Sequence, residues 1–162
     1  MSITADAYRD VLRHFPAGVT LVTVRAGGEN HGLTVSAFAS VSPEPPLVAV
    51  MIDHKHRAFE RLERPDAVFA VNILGEEQHA LSDRFAWEPE EDRFLAGDWT
   101  TAVTGAPVLV DALGWLDCTI HSRHRAGTHS LYIGEVVASR VPRPGDSPLV
   151  YWNRGYRGLR PD

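Results

Sequence analysis

Length, composition and charge already exclude several classes of protein for this chain of 162 residues. Apolar residues make up 44% and charged residues 23%, which is ordinary for one globular domain and excludes disorder, collagen and coiled coil. A net charge of −5 argues against nucleic acid as a partner, and no apolar run reaches the roughly 20 residues of a membrane span. Residues 1–9 lack the pattern of a secretory signal, so we expect a cytoplasmic protein.

Short helices alternate with strands in the predicted first half of the chain. A helical spacing of apolar residues predicts an N-terminal helix between Thr4 and Pro16 with one apolar face. Residues 42–46 contain three prolines, which cannot lie in the centre of a sheet because they lack ladder donors. Strands are predicted at residues 19–25, 31–39, 47–52 and 68–74, and further helices at residues 56–64 and 76–85.

The last third of the chain is predicted to be rich in β-structure. Strands are expected at residues 114–124, 129–139 and 149–152, with a hairpin turn at residues 125–128. The mixed, acidic and aromatic residues 87–104 are predicted to form a long surface excursion. Consecutive hairpins with few helices favour a mainly β fold with short helices, either an antiparallel barrel or a sandwich.

One predicted strand carries a row of hydroxyl groups. Because side chains alternate along a strand, the even-numbered residues from 34 to 42 share one face, and the odd-numbered residues from 33 to 41 form a core face. The even-numbered residues are Thr34, Ser36, Phe38, Ser40 and Ser42. This row is either a solvated surface or a wall that meets the ring heteroatoms of a flat polar ligand.

A cationic junction follows the buried strand predicted at residues 47–52. After Asp53 and His54 come Lys55, His56 and Arg57, at the point where a helix is expected to begin. Positive side chains together with helix N–H groups suit a phosphate. The same residues also fit a solvated helix start, and both interpretations stay open.

The sequence offers little for metal or nucleophilic chemistry. Two groups of histidines flank turns, but neither has the carboxylates or cysteines that would complete a zinc site, so no metal is expected. They are His54 with His56, and His121 with His124 and His129. Cys118, the only cysteine, lies in an apolar strand as a packing residue. The G-x-S-x-G and G-x-G-x-x-G motifs are absent, so in an enzyme a bound cofactor would carry the chemistry.

Several short motifs occur in one order along nearly the whole chain. They are FPAGVTLVTV from Phe15, GLTVSAFASVS from Gly32, FAVNIL from Phe69, GAPVL from Gly105, WLDC from Trp115, GTH from Gly127 and YWNRGY from Tyr151. Each is short, but together they resemble the flavin reductase family, which supplies reduced flavin to two-component monooxygenases. The resemblance runs from about Phe15 to Leu159.

This resemblance implies a split β-barrel of the Greek-key, FMN-binding type, as a single domain over residues 1–162 with its core at about residues 15–159. It implies a homodimer that holds FMN or FAD, with NADH or NADPH as the co-substrate and a separate monooxygenase as the recipient of reduced flavin. Hydride would pass from nicotinamide C4 to flavin N5 across stacked rings, and no side chain is obligatory for that step.

The resemblance also implies which residues meet each ligand. Gly127, His129 and Tyr156 are implied to bind nicotinamide, with His129 as the candidate that positions it; barrel packing is the alternative role of Tyr156. The implied cofactor-binding residues are Pro16, Ala17, Gly18, Thr34, Val35, Ser36, Ala37, Phe38, Ser40, Ser42, Lys55, His56, Arg57 and Asn72.

Two sites depart from the family pattern. His56 and Ala58 stand where the family often has hydroxyl residues, and Thr128 stands where it favours an acid before the histidine. Thr128 keeps open an alternative function, a flavin-binding split-barrel module without reductase activity. A histidine-based metal enzyme is a third hypothesis, and it predicts stoichiometric metal in the purified protein.

Overall fold

The computed structural model describes residues 2–160 and is built mainly from antiparallel strands. The helices are α1 (Ala5–Leu12), α2 (Arg57–Leu62), α3 (His79–Trp87) and α4 (Glu90–Arg93), with a 3-10 turn at Glu76–Gln78. The strands are β1 (Ala17–Gly18), β2 (Thr20–Ala26), β3 (Glu29–Val35), β4 (Phe38–Pro43), β5 (Pro46–Asp53), β6 (Val68–Ile73), β7 (Trp99–Thr101), β8 (Pro107–Leu109), β9 (Gly114–Ala126), β10 (His129–Arg140), β11 (Val150–Trp152) and β12 (Gly155–Arg157). The prediction of a mainly β fold with short helices is confirmed. Between residues 2 and 160, no helix is both long enough and apolar enough to cross a bilayer.

Seven strands form one sheet in the order β3-β2-β6-β9-β10-β5-β4. The β-branched residues of β2 and β6 suit such a pleated surface, and their apolar side chains lie in the core. Val22, Val50, Phe69 and Tyr132 are fully buried there. Strands β3 and β4 follow each other in the chain, yet they occupy opposite ends of the strand order. A link of two residues is too short to cross seven strands, so the two ends of the strand order lie next to each other at this point.

The predicted continuous strand at residues 31–39 is wrong, because β3 ends at Val35 and β4 begins at Phe38. The N–H of Phe38 donates to the carbonyl of Ser36 at 3.0 Å, which closes a three-residue turn between the two strands. Alternation of faces holds only within a strand, and the turn interrupts it. Phe38 consequently packs against the core, whereas Ala37, Ala39 and Val41 are exposed rather than part of a core face.

Two other regions differ from the sequence prediction. Residues 87–104 lie at the surface, as none of them is buried, but they contain the unpredicted α4 and β7, and their Phe94 and Trp99 side chains pack against the core. The Phe94 and Trp99 rings lie 5.2 and 5.4 Å from the ring of Phe85 between centroids, which anchors this segment against α3. Strand β12 was not predicted; it pairs with β11, which in turn pairs with β1.

Helix α1 confirms the predicted N-terminal helix, but its apolar face is not covered by the rest of the chain. The hydroxyl of Thr4 accepts a hydrogen bond from the N–H of Ala7 at 3.1 Å and caps the helix. No residue of α1 is buried. The exposed large apolar side chains in and beside this helix are Ile3, Tyr8, Val11, Leu12 and Phe15. We call them the N-terminal apolar patch.

Candidate flavin-binding site

The turn between β3 and β4 exposes polar backbone at the edge of the sheet. The carbonyl of Ser36 accepts from Phe38, and the carbonyl of Ala37 accepts from the N–H of Met51 at 3.0 Å. Within residues 2–160, the N–H groups of Ser36 and Ala37 have no acceptor, and both residues are exposed. Two free backbone donors therefore lie side by side, facing solvent and able to meet a ligand.

A central groove of about 230 Å³ lies along this turn. Its lining residues come from the end of β3, the end of β5 and the start of β10. They are Leu33, Thr34, Val35, Ser36, Ala37, Met51, Ile52, Asp53, His56 and His129. The free donors of the β3–β4 turn thus lie on the wall of a groove that the sheet itself forms.

The cationic junction after β5 lies at one end of the central groove. The side chain of Asp53 accepts from the N–H of Lys55 at 2.9 Å, and this hydrogen bond lowers the pKa of the Asp53 carboxyl. Beyond His56 and Leu33 the groove continues into a polar cavity of about 390 Å³. Lys55 and Arg57 line this cavity and not the groove itself, whereas His56 lines both.

His129 reaches the central groove because of strand register. It starts β10 directly opposite Asp53 of β5, and it follows the two-residue turn Gly127–Thr128, in which Gly127 has φ +60°. The hydroxyl of Thr128 lies 3.0 Å from Nδ1 of His129, and the carbonyl of Thr128 accepts from the N–H of His54. These contacts fix the turn, and the Thr128 bond orients the imidazole.

A second cavity, of about 320 Å³, lies on the other side of Thr34 and Ser36. We call it the aromatic cavity, because Trp87, Tyr151 and Tyr156 line it together with Asp83 and Arg154. The hydroxyl of Tyr156 donates to Oδ1 of Asp83 at 2.7 Å and lies 2.8 Å from Oγ of Ser82; burial raises the pKa of Tyr156. Tyr156 and His129 therefore border different cavities that share the wall of Thr34 and Ser36.

Ala17 and Phe38 border a third, mostly apolar cavity. This cavity of about 550 Å³ extends from Ser36 and Ala37 to the N-terminal apolar patch. It is closed on one side by Tyr151 and Trp152 of β11. The indole N–H of Trp152 donates to the carbonyl of His14 at 3.1 Å, and this bond joins the C-terminal hairpin to the end of α1.

Three predicted cofactor-binding residues lie away from the central groove and the cavities that adjoin it. Asn72 is fully buried: its amide donates to the carbonyl of Leu21 and the hydroxyl of Thr23, and its Oδ1 accepts from the N–H of Leu109. Both amide N–H groups are used within the protein and no part of the side chain is exposed, so its geometry is that of a structural residue. Ser40 and Ser42 border a separate groove at the far end of β4, because the turn at residues 36–37 sends β4 away from the central groove.

The remaining predicted residues lie close to the site without lining it. Pro16, Gly18 and Gly127 border none of the three cavities within residues 2–160; Pro16 and Gly18 adjoin Ala17, which does, and Gly127 lies two residues before His129. Cys118 is fully buried, and burial raises the pKa of its thiol to about 12, as expected for a packing residue.

Sequence reasoning missed Met51, Asp83 and Arg154, which line these cavities. Met51 and Asp83 carry no local signal, since only the fold brings them to the site. For Arg154 the sequence does carry a signal, because an Asn-containing turn before a glycine is typical of a tight hairpin. Asn153 and Arg154 have φ values of 48° and 63°, as such a turn requires.

The donors present suit a flavin. The polar edge of an isoalloxazine ring presents carbonyl oxygens and ring nitrogens that accept hydrogen bonds, and the free N–H groups of Ser36 and Ala37 match them. Lys55 and Arg57 supply positive charge where a ribityl phosphate would follow. No three His, Cys, Asp or Glu side chains among residues 2–160 are grouped so as to hold a metal ion.

Comparison with known proteins identifies the family. The model of the flavin reductase like domain matches residues 12–160. The chain is 37% identical over 153 residues to the FMN reductase (NADH) RutF of Agrobacterium fabrum, covering 94% of this chain and 87% of that protein. It is 35% identical over 161 residues to HsaB, the reductase subunit of a flavin-dependent monooxygenase from Rhodococcus jostii, covering 99% and 81%. The structure of SgcE6, an NADH:FAD oxidoreductase of Streptomyces globisporus, superposes with a TM-score of 0.90 at 32% identity, covering 99% of this chain and 98% of that one.

The chain therefore belongs to the flavin reductase family. This confirms the resemblance stated from the sequence motifs, together with the prediction of an NAD(P)H-dependent enzyme that uses flavin.

Because Asn72 has a structural role, its substitution should lower the stability of the protein and leave flavin binding nearly unchanged. Asn72→Ala leaves the Leu109 N–H buried without its acceptor and removes the bonds of the amide to Leu21 and Thr23, so we expect the free energy of unfolding to fall by about 2–3 kcal/mol. The Kd for FMN of the folded protein should change by less than about twofold. Urea denaturation and fluorescence titration measure the two quantities.

Ser36→Val is the matched variant with the opposite expected outcome. Valine keeps the N–H of residue 36 but puts a branched apolar side chain where all three cavities meet, so it should weaken flavin binding and, as Ser36 is exposed, leave the unfolding free energy within about 0.5 kcal/mol. If Asn72→Ala weakens FMN binding and Ser36→Val leaves the Kd for FMN unchanged, flavin does not bind beside Ser36.

Proposed function

We propose that this chain transfers hydride from NADH or NADPH to FMN or FAD and releases reduced flavin to a separate flavin-dependent monooxygenase. The observation that carries the proposal is the pair of free N–H groups of Ser36 and Ala37, in a groove bounded by His129 and the cationic junction. Membership of the flavin reductase family supports it, and so does the likeness to HsaB, a reductase subunit of a monooxygenase.

Each group in the groove has a role that its geometry suits. A bound flavin supplies the acceptor for the hydride of a reduced nicotinamide. The N–H groups of Ser36 and Ala37 donate to the ring edge where negative charge develops, and Lys55, His56 and Arg57 hold the phosphate. No side chain has to transfer a proton in the hydride step, so the protein acts by positioning two rings.

In this proposal His129 and Gly127 position the nicotinamide. The contact of Thr128 with Nδ1 leaves Nε2 of His129 free of partners within residues 2–160 and available to the carboxamide of a nicotinamide. The hydroxyl of Tyr156 is already bonded to Asp83 and Ser82, so Tyr156 contributes its ring face on the opposite side of Ser36.

The finer architecture belongs to the same proposal. We infer a split β-barrel of the Greek-key type, supported by the position of β3 and β4 at opposite ends of the strand order with only residues 36–37 between them. We infer one domain over residues 1–162, supported by a family match over residues 12–160. A cytoplasmic location is part of the same inference.

We also propose a homodimer whose second copy covers the N-terminal apolar patch. Val11 of α1 and Phe15 just beyond it are 69% and 73% exposed, and with their neighbours they form one exposed apolar surface. The patch is continuous with the apolar cavity beside Ser36 and Ala37, so the partner copy would complete the flavin site.

If the N-terminal apolar patch is the dimer interface, negative charge placed on it should separate the two copies. The double substitution Val11→Asp with Phe15→Asp should convert a particle of two chains into one chain in light scattering, because burying two carboxylates in an apolar interface is costly. Val141→Asp is the matched control, since Val141 is 64% exposed and lies outside the patch. A single-chain mass for the unsubstituted protein would contradict the homodimer.

The enzymatic proposal predicts flavin-dependent oxidation of NADH or NADPH. Purified protein should consume the nucleotide at 340 nm (about that wavelength for a reduced nicotinamide) only when riboflavin, FMN or FAD is added. Saturable flavin binding with no consumption of either nucleotide would favour the flavin-binding module without reductase activity. If the protein neither binds flavin nor oxidises either nucleotide, both the reductase and the flavin-binding module are wrong.

His129→Ala tests the positioning of the nicotinamide. The KM for NADH should rise by about tenfold, the equivalent of one lost hydrogen bond to a ligand, with the Kd for FMN nearly unchanged. His124→Ala is the control, because His124 is exposed, contacts Ser122 and does not line the groove. If the two variants give the same KM, His129 does not contact the nicotinamide.

A further inference from the structure

The cationic junction faces an acidic wall across the polar cavity. Charged side chains of both signs line this cavity, namely Lys55, Arg57, Glu90, Glu91 and Arg93. The two carboxylates offset most of the charge of the three cations. A phosphate that reaches the junction therefore meets repulsion from α4 as well as attraction from the start of α2.

Glu90 is the carboxylate that is placed to oppose a phosphate most strongly. Its side chain is only 19% exposed, so water and salt screen its charge less than that of the exposed Glu91. Its Oε2 lies 3.5 Å from Nη1 of Arg57, and its Oε1 lies 3.7 Å from Nδ1 of the buried His31. A phosphate that binds Arg57 has to displace this carboxylate or share the guanidinium with it.

The attachment of α4 keeps Glu90 at the cavity. The guanidinium of Arg93 donates to the carbonyl of Gly32 on β3 at 2.6 Å. The guanidinium of Arg84 on α3 donates to the carbonyl of Asp92 at 3.0 Å. Because both bonds hold the backbone of α4 to its neighbours, the helix cannot swing away to make room for a phosphate.

The stability of the fold does not explain where Glu90 lies. Arg57 is 76% exposed, and ion pairs with such exposed partners contribute little to stability. A carboxylate is favourable at the start of a helix, but Glu91 and Asp92 in the same turn of α4 supply that interaction too. The contact between Glu90 and Arg57 is better explained by its effect on a ligand.

We propose that Glu90 competes with the flavin phosphate for Arg57 and so weakens the hold of this protein on FMN. The inference rests on the proposed function and adds to it a residue that sets the affinity for a flavin bearing a phosphate. Riboflavin has no phosphate, so its affinity does not depend on Glu90. Since reduced flavin has to leave the protein in the proposed function, a weaker hold on the phosphate favours its release.

Fluorescence titration with FMN and with riboflavin tests the competition. Glu90→Gln keeps the shape of the side chain and removes its charge, so the Kd for FMN should fall by about tenfold and the Kd for riboflavin should stay within about twofold. Glu91→Gln is the matched control, because it removes the same charge from the same turn of α4. Glu91 is exposed and has no ion pair with residues 2–160, so neither Kd should change by more than about twofold.

A double substitution shows whether Glu90 acts through Arg57. In a protein that already carries Arg57→Met, the further change Glu90→Gln should improve FMN binding by about twofold at most, because no guanidinium remains to be released. The melting temperature of each variant should stay within about 3 °C of the unsubstituted protein. A merely structural role of Glu90 would instead lower the melting temperature and weaken the binding of both flavins.

Three results would overturn the inference. They are an unchanged or weaker affinity of Glu90→Gln for FMN, an equal gain for riboflavin, and the full gain for FMN in the absence of Arg57. In each case the protein still binds flavin, so the proposed function survives. If neither FMN nor riboflavin binds to the unsubstituted protein, the proposed function fails, and this inference fails with it.

Discussion

The turn at Ser36 and Ala37 is the constraint on which the candidate site depends. The chain has to pass from β3, at one end of the sheet, to β4, at the other end, within two residues. Strand β5 bonds to this turn only through the N–H of Met51, which donates to the Ala37 carbonyl, and the N–H groups of Ser36 and Ala37 stay without acceptors. A closed hydrogen-bonding ladder would have hidden these donors. The interruption that permits the fold therefore also produces the surface that suits a flavin.

Strand register brings the rest of the site to that turn. The register of β5 and β10 puts His129 opposite Asp53, and the junction residues Lys55 and Arg57 follow directly. Strand β5 also pairs with β4, so its end lies next to the turn. A shift of one residue in either pairing would move His129 to the other face of the sheet. The site is specified by the alignment of three strands, and hardly at all by residues close together in the sequence.

Local patterns predicted the hairpins and the cationic junction, because strand propensity and turn residues act over a few positions. They left open a ligand wall along the even-numbered residues 34–42, based on a continuous strand that the structure interrupts at residues 36–37. Alternation cannot reveal a turn such as the one at Ser36, since a three-residue turn has no fixed residue signature. Ser40 and Ser42 were consequently assigned to the site, whereas they lie along β4 away from it. Asn72 was assigned by resemblance, and only the structure shows that Thr23, Leu21 and Leu109 use its amide.

Thr128 departs from the family pattern in the charge that it places beside His129. An acid at this position would place a negative charge there, and threonine places a neutral hydroxyl. The hydroxyl contacts Nδ1 at 3.0 Å, and the Thr128 carbonyl ties the turn to His54. These contacts orient the imidazole, while the negative charge near it comes from Asp53 across the strand pair. The substitution therefore changes the charge beside His129. A nicotinamide gains positive charge when it gives up hydride, so it is the ligand whose binding this change would affect.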